Sequence, residues 1–220
     1  NLADTQPDYF LGVPRIFSKF QEGILKKIPQ KKLSLLLKIP IVNYLVKKSI
    51  RKKLGFARVS IILCGAAPIG IETLLWYEQL GIKILVVYGM TEDCVYNHME
   101  RPGERRLGSV GKPLPGLQTK ITAEGEIRVK SEGNMKGYYK EPALTAEAFD
   151  DEGYLKTGDM GEYDKDGFLF ITGRVKDQFK TDKGKYISPS PIEIKLMENT
   201  DIEQVCVVGM GIPQPIALVN

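Results

Sequence analysis

Thr91 and Glu92 place a hydroxyl beside a carboxylate in the segment Tyr88-Gly89-Met90-Thr91-Glu92. The pair offers a donor for a phosphate oxygen next to a hard oxygen ligand of the kind magnesium prefers. Tyr154-Leu155-Lys156-Thr157-Gly158-Asp159 carries a second carboxylate, able to accept charge-assisted hydrogen bonds. Gly173-Arg174-Val175-Lys176-Asp177 and Lys183-Gly184-Lys185 supply cations that suit phosphate groups. Each segment is weak alone, and Gly65-Ala66-Ala67-Pro68-Ile69-Gly70 is neither a dinucleotide fingerprint nor a lysine-bearing phosphate loop. The single histidine, His98, excludes a multi-histidine metal site within the chain and reads as a loop residue lining the pocket. Cys64, Cys94 and Cys206 are scattered without metal or redox spacing, which argues against a disulfide framework and for a reducing compartment. Asp164-Lys165-Asp166-Gly167 lacks the later acidic positions of an EF-hand and reads as a hairpin turn.

The surrounding pattern says what positions these residues. Arg58–Leu63 reads as a buried strand, 69–80 has helical spacing closed by Gly81, and Lys83–Tyr88 is a second buried strand. Strand, glycine-rich turn, helix and strand in succession predict a βαβ unit with parallel strands. Both strands then deliver their carboxyl ends to the loops at Gly65 and Gly89, where open α/β sheets bind ligands. Upstream, a short strand is expected near Tyr9–Val13 and a helix from Pro14. From Gly108 the chain becomes short alternating segments: 117–122, 125–130, 154–157, 160–163 and 167–172. Ser190-Pro191-Ile192-Glu193 forms a capping box for a helix reaching about Glu198, followed by a strand at 202–208. The fold class is mixed α/β.

At 220 residues the chain is one large domain, or one domain and part of another, and 43% hydrophobic residues exclude disorder for the bulk of it. The net charge of +4 hides an asymmetry. Lys26 to Lys53 holds ten Lys/Arg and no acid, leaving 21 of the 31 basic groups against all 27 acidic ones elsewhere. Two readings stand: the solvated face of two helices broken at Pro40, or a basic amphipathic surface resting on anionic lipid. Nucleic acid is poorly supported, because Tyr44 is the only aromatic in the run. The most apolar stretch, Leu33–Val46, is interrupted by Lys38 and Pro40 and is too short to span a bilayer.

The ordered set of Gly65-Ala66-Ala67-Pro68, Tyr88-Gly89-Met90-Thr91-Glu92, Gly125-Glu126-Ile127 with Gly133 and Gly137-Tyr138, the Asp159 segment, the Arg174 segment and Lys183-Gly184-Lys185 resembles the adenylate-forming superfamily. That superfamily comprises acyl-CoA synthetases, peptide-synthetase adenylation domains and luciferases. LGVPRIFSKFQEGI and TDKGKYISPSPIE resemble its long-chain fatty acyl-CoA synthetase branch. The resemblance implies that residues 1–175 are the second half of a large AMP-binding domain, a βαβ sheet unit plus a small β-barrel-like subdomain. Residues 176–220 would be a hinge and the start of a small α+β domain. It implies a fatty acid, ATP and CoA as substrates, AMP as product and magnesium as cofactor. Glu92 faces the metal, Thr91 donates to the α-phosphate, and Tyr88, after which Gly89 turns the chain, lies against adenine. Gly65, Ala66 and Ala67 form a thin wall shared by adenine and the acyl chain. Asp159 accepts from two ribose hydroxyls, and Arg174 donates to ribose or phosphate. Lys176 is the pivot between the two half-reactions, its competing reading being an exposed turn lysine. Lys183 and Gly184 approach CoA, or Lys183 and Lys185 are simply solvated.

The family's phosphate-gripping loop is expected upstream of residue 1 and its adenylation lysine beyond residue 220, so the chain reads as an internal fragment. It opens without Met. A cytoplasmic setting is expected, with peripheral membrane contact through residues 26–53. Medium-chain or aryl acyl-CoA ligases and carrier-loading ligases keep the same motifs, and a non-catalytic, membrane-apposed nucleotide-binding protein is the reading from another class. The resemblance also implies that acyl-CoA synthesis, assayed on these 220 residues alone, is absent.

Overall fold

The computed structural model describes residues 1–197, 199, 202 and 204–220. It divides into two units, 1–86 and 87–220. In the first, α1 (Leu2–Thr5), β1 (Tyr9–Gly12), α2 (Pro14–Leu25), α3 (Gln30–Leu36), α4 (Pro40–Leu54), β2 (Ile61–Cys64) and α5 (Ile71–Gln79) lead into β3 (Ile84–Tyr88). The expected βαβ unit is present: β2 pairs in parallel with β3, and β1 adds a third parallel strand on the other side of β2. The first strand begins at Ile61 rather than Arg58 because Ser60 and Ile61 both donate to the Asp8 carbonyl, which precedes the first ladder pair, Tyr9 with Ile61.

Helix α2 starts on Pro14, whose fixed φ and missing N–H suit a first turn. It buries Phe17, whose ring meets Phe10 edge-on at 6.0 Å and Tyr77 at 5.7 Å. The buried Tyr77 hydroxyl donates to the Phe17 carbonyl at 2.6 Å, and Trp76 donates to Gln30 at 2.9 Å. One aromatic cluster thereby ties α2, α3 and α5 to the parallel strands. Pro40 separates α3 from α4 as expected, and Gly55 closes α4 at φ 83°.

In the second unit the last residues of β3 pair antiparallel with β4 (His98–Met99), which pairs with β5 (Lys112–Pro113). The barrel-like subdomain takes the form of a four-stranded antiparallel meander with β6 and β9 at its edges. Its strands are β6 (Gln118–Ile121), β7 (Glu126–Lys130), β8 (Leu155–Tyr163) and β9 (Leu169–Arg174), with α6 (Pro142–Ala148) between β7 and β8. Ile127, Val129, Leu155 and Leu169 form its buried core. The two short strands expected at 154–157 and 160–163 are one strand: Gly158 sits at φ 69° inside it, and a bulge follows at Met160/Gly161. Asp164 makes the expected hairpin turn, its Oδ1 accepting from the Asp166 and Phe168 amides at 2.9 Å each.

A hairpin of β10 (Phe179–Lys180) and β11 (Tyr186–Ile187) follows, then α7 (Pro189–Leu196), β12 (Val205–Val208) and β13 (Ile216–Val219). Helix α7 starts at Ser188-Pro189, two residues before the expected capping box. Glu193 does not cap the helix: its Oε1 accepts from the Val207 amide at 2.8 Å and ties α7 to β12. The expected helix end at Glu198 lies outside the described residues, as does Glu203 of the expected strand. No helix among the described residues is long and apolar enough to cross a membrane.

Phe17→Ala should leave a cavity under α2 and cost about 3–5 kcal/mol, read as a lowered urea midpoint without a change in slope.

Candidate functional site

The end of β3 and the bulged strand β8 build the centre of the site. Tyr88 is the last residue of β3, and its hydroxyl donates to Asp159 Oδ2 at 2.8 Å. Asp159 is buried in β8 and stands opposite Arg174 of β9 in the ladder, where the guanidinium Nε meets Oδ1 at 3.0 Å. The Asp159 amide donates to Thr157 Oγ1 at 3.1 Å, and the Thr157 hydroxyl donates to the Ile127 carbonyl at 2.7 Å. Both carboxylate oxygens are therefore held while each keeps a further lone pair. Burial raises the Asp159 carboxyl above its ordinary value, a shift opposed by the Tyr88 hydrogen bond and the Arg174 charge. Burial and the neighbouring Asp159 likewise push the Tyr88 phenol up, so it stays a donor at neutral pH.

After Tyr88 the chain reverses sharply. A Cβ on Gly89 would lie 2.6 Å from Val95 Cα and 2.9 Å from Asp93 Oδ1, so only glycine lets the turn fold back. Thr91–Asp93 forms a single 3-10 turn, with Asp93 Oδ1 accepting from the Met90 amide at 2.8 Å. Thr91 is exposed; Glu92 is half-buried, and its Oε1 accepts from the Tyr138 hydroxyl at 3.0 Å. Among the described residues no cluster of three His, Cys, Asp or Glu side chains could hold a metal by itself. A magnesium ion would find in Glu92 a single carboxylate ligand.

A polar chain that no spacing rule signals runs beneath this turn. Asn97 donates to Asp93 Oδ2 at 2.6 Å, so its own Oδ1 accepts from His98 Nδ1–H at 2.6 Å. His98 Nε2 then accepts from the Tyr163 hydroxyl at 2.7 Å. This assignment makes the imidazole neutral, and burial lowers its pKa to about 4. His98 is thus a fully buried strand residue that supports the Thr91–Glu92 turn, not the pocket-lining loop residue expected from sequence. Tyr138 and Tyr163 were also missed as partners, because their sequence distances of 46 and 65 residues leave no local signal.

Gly65, Ala66 and Ala67 lie in the first unit, immediately after β2, with Ala66 at φ 68°. An alanine held in the left-handed region stores local strain of a kind that clusters at binding loops. Lys176 is exposed in the turn between β9 and β10. Lys183 and Gly184 occupy the β10–β11 turn, with Gly184 at φ 79°, and no described hydrogen bond or ion pair joins them to Asp159. The cysteines carry no disulfide, and burial pushes the Cys64 thiol up to about 12, which leaves it inert as a nucleophile.

The first unit is a parallel α/β sheet that ends in glycine turns, and the second carries an antiparallel meander that presents a tethered carboxylate, a mixed α/β architecture. The family model described as AMP-binding enzyme matches residues 1–139, and the chain belongs to that family. It is 46% identical over 149 residues to fadD11 of Mycobacterium tuberculosis, named as a fatty-acid–CoA ligase, covering 68% of this chain and 26% of that protein. It is 32% identical over 231 residues to the long-chain-fatty-acid–CoA ligase ACSBG2 of Xenopus laevis, covering 91% and 31%. The solved structure of the ATP-bound RpMatB-BxBclM chimera B1 superposes with a TM-score of 0.75 at 26% identity, over 99% of this chain and 42% of that one. The chain therefore spans roughly a quarter to a third of the length of the curated relatives it matches.

His98 gives a pH test of the support beneath the turn. An unfolded histidine binds a proton near 6.5, whereas the buried ring binds one only near 4. Its stabilising contribution is complete above the upper value and is lost as pH falls toward the lower one, by about 3 kcal/mol. The unfolding free-energy difference between wild type and His98→Asn should shrink by that amount between pH 7 and pH 4 in urea titrations. A difference that stays constant across the range would remove His98 as a titrating member of the chain.

Proposed function

We propose that the full-length protein carrying this segment is an AMP-forming fatty-acid–CoA ligase. The observation that carries the reading is the buried Asp159 carboxylate, preset by the Tyr88 hydroxyl and the Arg174 guanidinium. Its remaining lone pairs suit the two ribose hydroxyls of a nucleotide. Fixing the Tyr88 hydroxyl also fixes the ring, which packs against the meander core and offers a face to adenine.

In the first half-reaction a carboxylate oxygen attacks the α-phosphorus of ATP, the bond to pyrophosphate breaks, and an acyl-adenylate forms. The thiol sulfur of CoA then attacks the acyl carbonyl, loses its proton and expels AMP. Thr91, exposed at the start of its turn, donates to the α-phosphate. Glu92, oriented by Tyr138, would hold magnesium, which when bound neutralises the phosphate charge that repels the incoming carboxylate. Arg174 is positioned to share its guanidinium between Asp159 and a ribose or phosphate oxygen. Residues 176–220 form the start of the small domain: Lys176 is the pivot, and Lys183 and Gly184 approach the CoA phosphates. The fatty-acid substrate is favoured by the names of the relatives with 32–46% identity. Such a substrate partitions into bilayers, and the acid-free basic segment suits work at an anionic membrane surface.

Carboxylate-dependent ATP–pyrophosphate exchange by the full-length protein, over acids from short to long chain, tests the reading. Exchange should peak with long-chain acids. Asp159→Ala should weaken nucleotide binding about ten- to a hundredfold, the loss of one charge-assisted hydrogen-bonding group, and Glu92→Gln should raise the magnesium concentration needed. Exchange confined to aryl acids would keep adenylation and replace the substrate. Absence of exchange with every carboxylate tried, from folded protein, would leave only a nucleotide-binding role.

A further inference from the structure

The exposed positions of α4 fall on one stripe, and the stripe changes character along the helix. Its first half shows Ile41, Tyr44 and Leu45, with Ile41 77% and Tyr44 64% exposed. Its second half shows Lys48, Lys52 and Lys53 at the matching helical spacing. The opposite face is spent on packing, with Ile50 buried and Val42 and Val46 half-buried. At the corner between α3 and α4, Leu35 and Ile39 are also exposed, and Lys38 stands between them. Asn43 locks that corner: its side chain donates to the Leu37 carbonyl at 2.9 Å and its amide to the Ile39 carbonyl at 2.7 Å. An apolar tip of five large side chains is thus held at the start of a cationic helix, in a run of ten basic residues with no acid.

We propose that the α3–α4 corner is a docking wedge for an anionic bilayer. Ile39, Ile41 and Leu45 enter the headgroup–acyl boundary, and Lys48, Lys52 and Lys53 lie along the phosphates. Charge complementarity selects this occupant. The acid-free run 26–53, in a chain whose remaining residues carry more acid than base, is attracted to a negative surface. The apolar tip then gives a grip that cations alone do not. A nucleic acid would use the lysines but leave Ile41 and Leu45 idle, and the lone aromatic Tyr44 provides no run of stacking platforms. The proposal assigns the contact to particular side chains. It rests on the membrane-surface reading above only for its purpose, because docking is read without any substrate.

The test is co-sedimentation of the full-length protein with vesicles of phosphatidylglycerol and phosphatidylcholine, against phosphatidylcholine alone. Binding should require the anionic lipid and fall steeply as salt is raised. Ile41→Glu/Leu45→Glu should reduce it at least tenfold without lowering the thermal midpoint, since both side chains are exposed. Lys48→Gln/Lys52→Gln/Lys53→Gln should reduce it comparably and flatten its salt dependence. Leu218→Glu, at another exposed apolar position, should leave it intact. Pyrophosphate exchange with a water-soluble acid, measured in parallel, should be the same in all these variants. Failure of docking with exchange intact would therefore overturn the wedge and leave the enzyme reading standing. Equal binding to neutral vesicles, indifference to the Ile41/Leu45 change, or no vesicle binding by the folded protein would each sink the proposal. Lysine-dependent capture of a single-stranded oligonucleotide, unaffected by the Ile41/Leu45 change, would reassign the surface to nucleic acid.

Discussion

The carboxylate of Asp159 is the point on which three separate stretches of the second unit converge. The Tyr88 phenol reaches it from the end of β3, the Arg174 guanidinium from β9, and β8 supplies its own backbone. A buried carboxylate without partners would cost several kcal/mol or take up a proton. The Tyr88 hydrogen bond and the Arg174 charge are what permit Asp159 to stay in the interior of a sheet. The same two contacts fix the orientation of its carboxylate. Gly158, in left-handed conformation immediately before Asp159, and the bulge at Met160/Gly161 flank the stretch in which Asp159 stands opposite Arg174.

The support of the neighbouring turn follows the same logic at one remove. Glu92 and Thr91 sit on a single 3-10 turn, too short to hold itself in place through backbone bonds alone. Asp93 anchors the turn by accepting from the Met90 amide and from Asn97, and the buried His98 and Tyr163 complete the chain of donors and acceptors. Every link is committed in one direction, so the imidazole has one tautomer and no spare group to act as a base. The residue that looks most chemical in the sequence is the one most fully absorbed into structure.

The parts of the fold legible in sequence were those with dense local signals. The strand–loop–helix–strand run from β2 to β3 is an apolar pattern punctuated by glycines, and the helix start at Pro14 and the break at Pro40 follow from proline geometry. Boundaries drifted where partners decide them, as at β2, whose first ladder pair is set by Tyr9 on β1. Gly158 made one long strand look like two. The capping box expected at Ser190 did not form: α7 starts at Ser188-Pro189, the Ser188 hydroxyl accepts from Gln178, and Glu193 is occupied with β12. Of the candidate site, Tyr88, Glu92 and Asp159 stand out in sequence by motif, and the structure joins Tyr88 to Asp159. Tyr138, Asn97 and Tyr163 were not, since their roles exist only through contacts the chain makes after it folds.

Strand β1 pairs with β2 across an intervening loop that holds three helices, Tyr9 meeting Ile61, whereas β6 to β9 join neighbours in sequence order. Closing a long loop before any contact rewards it slows folding, while successive hairpins close quickly. The β1–β2 pairing must wait for the whole of 13–60, whereas the β6–β7 and β8–β9 hairpins close over 122–125 and 164–168, and the β7–β8 pairing over 131–154. During that interval β1 has an unpaired edge and an apolar face, so the N-terminal strand is the stretch of this chain most in need of protection while it waits.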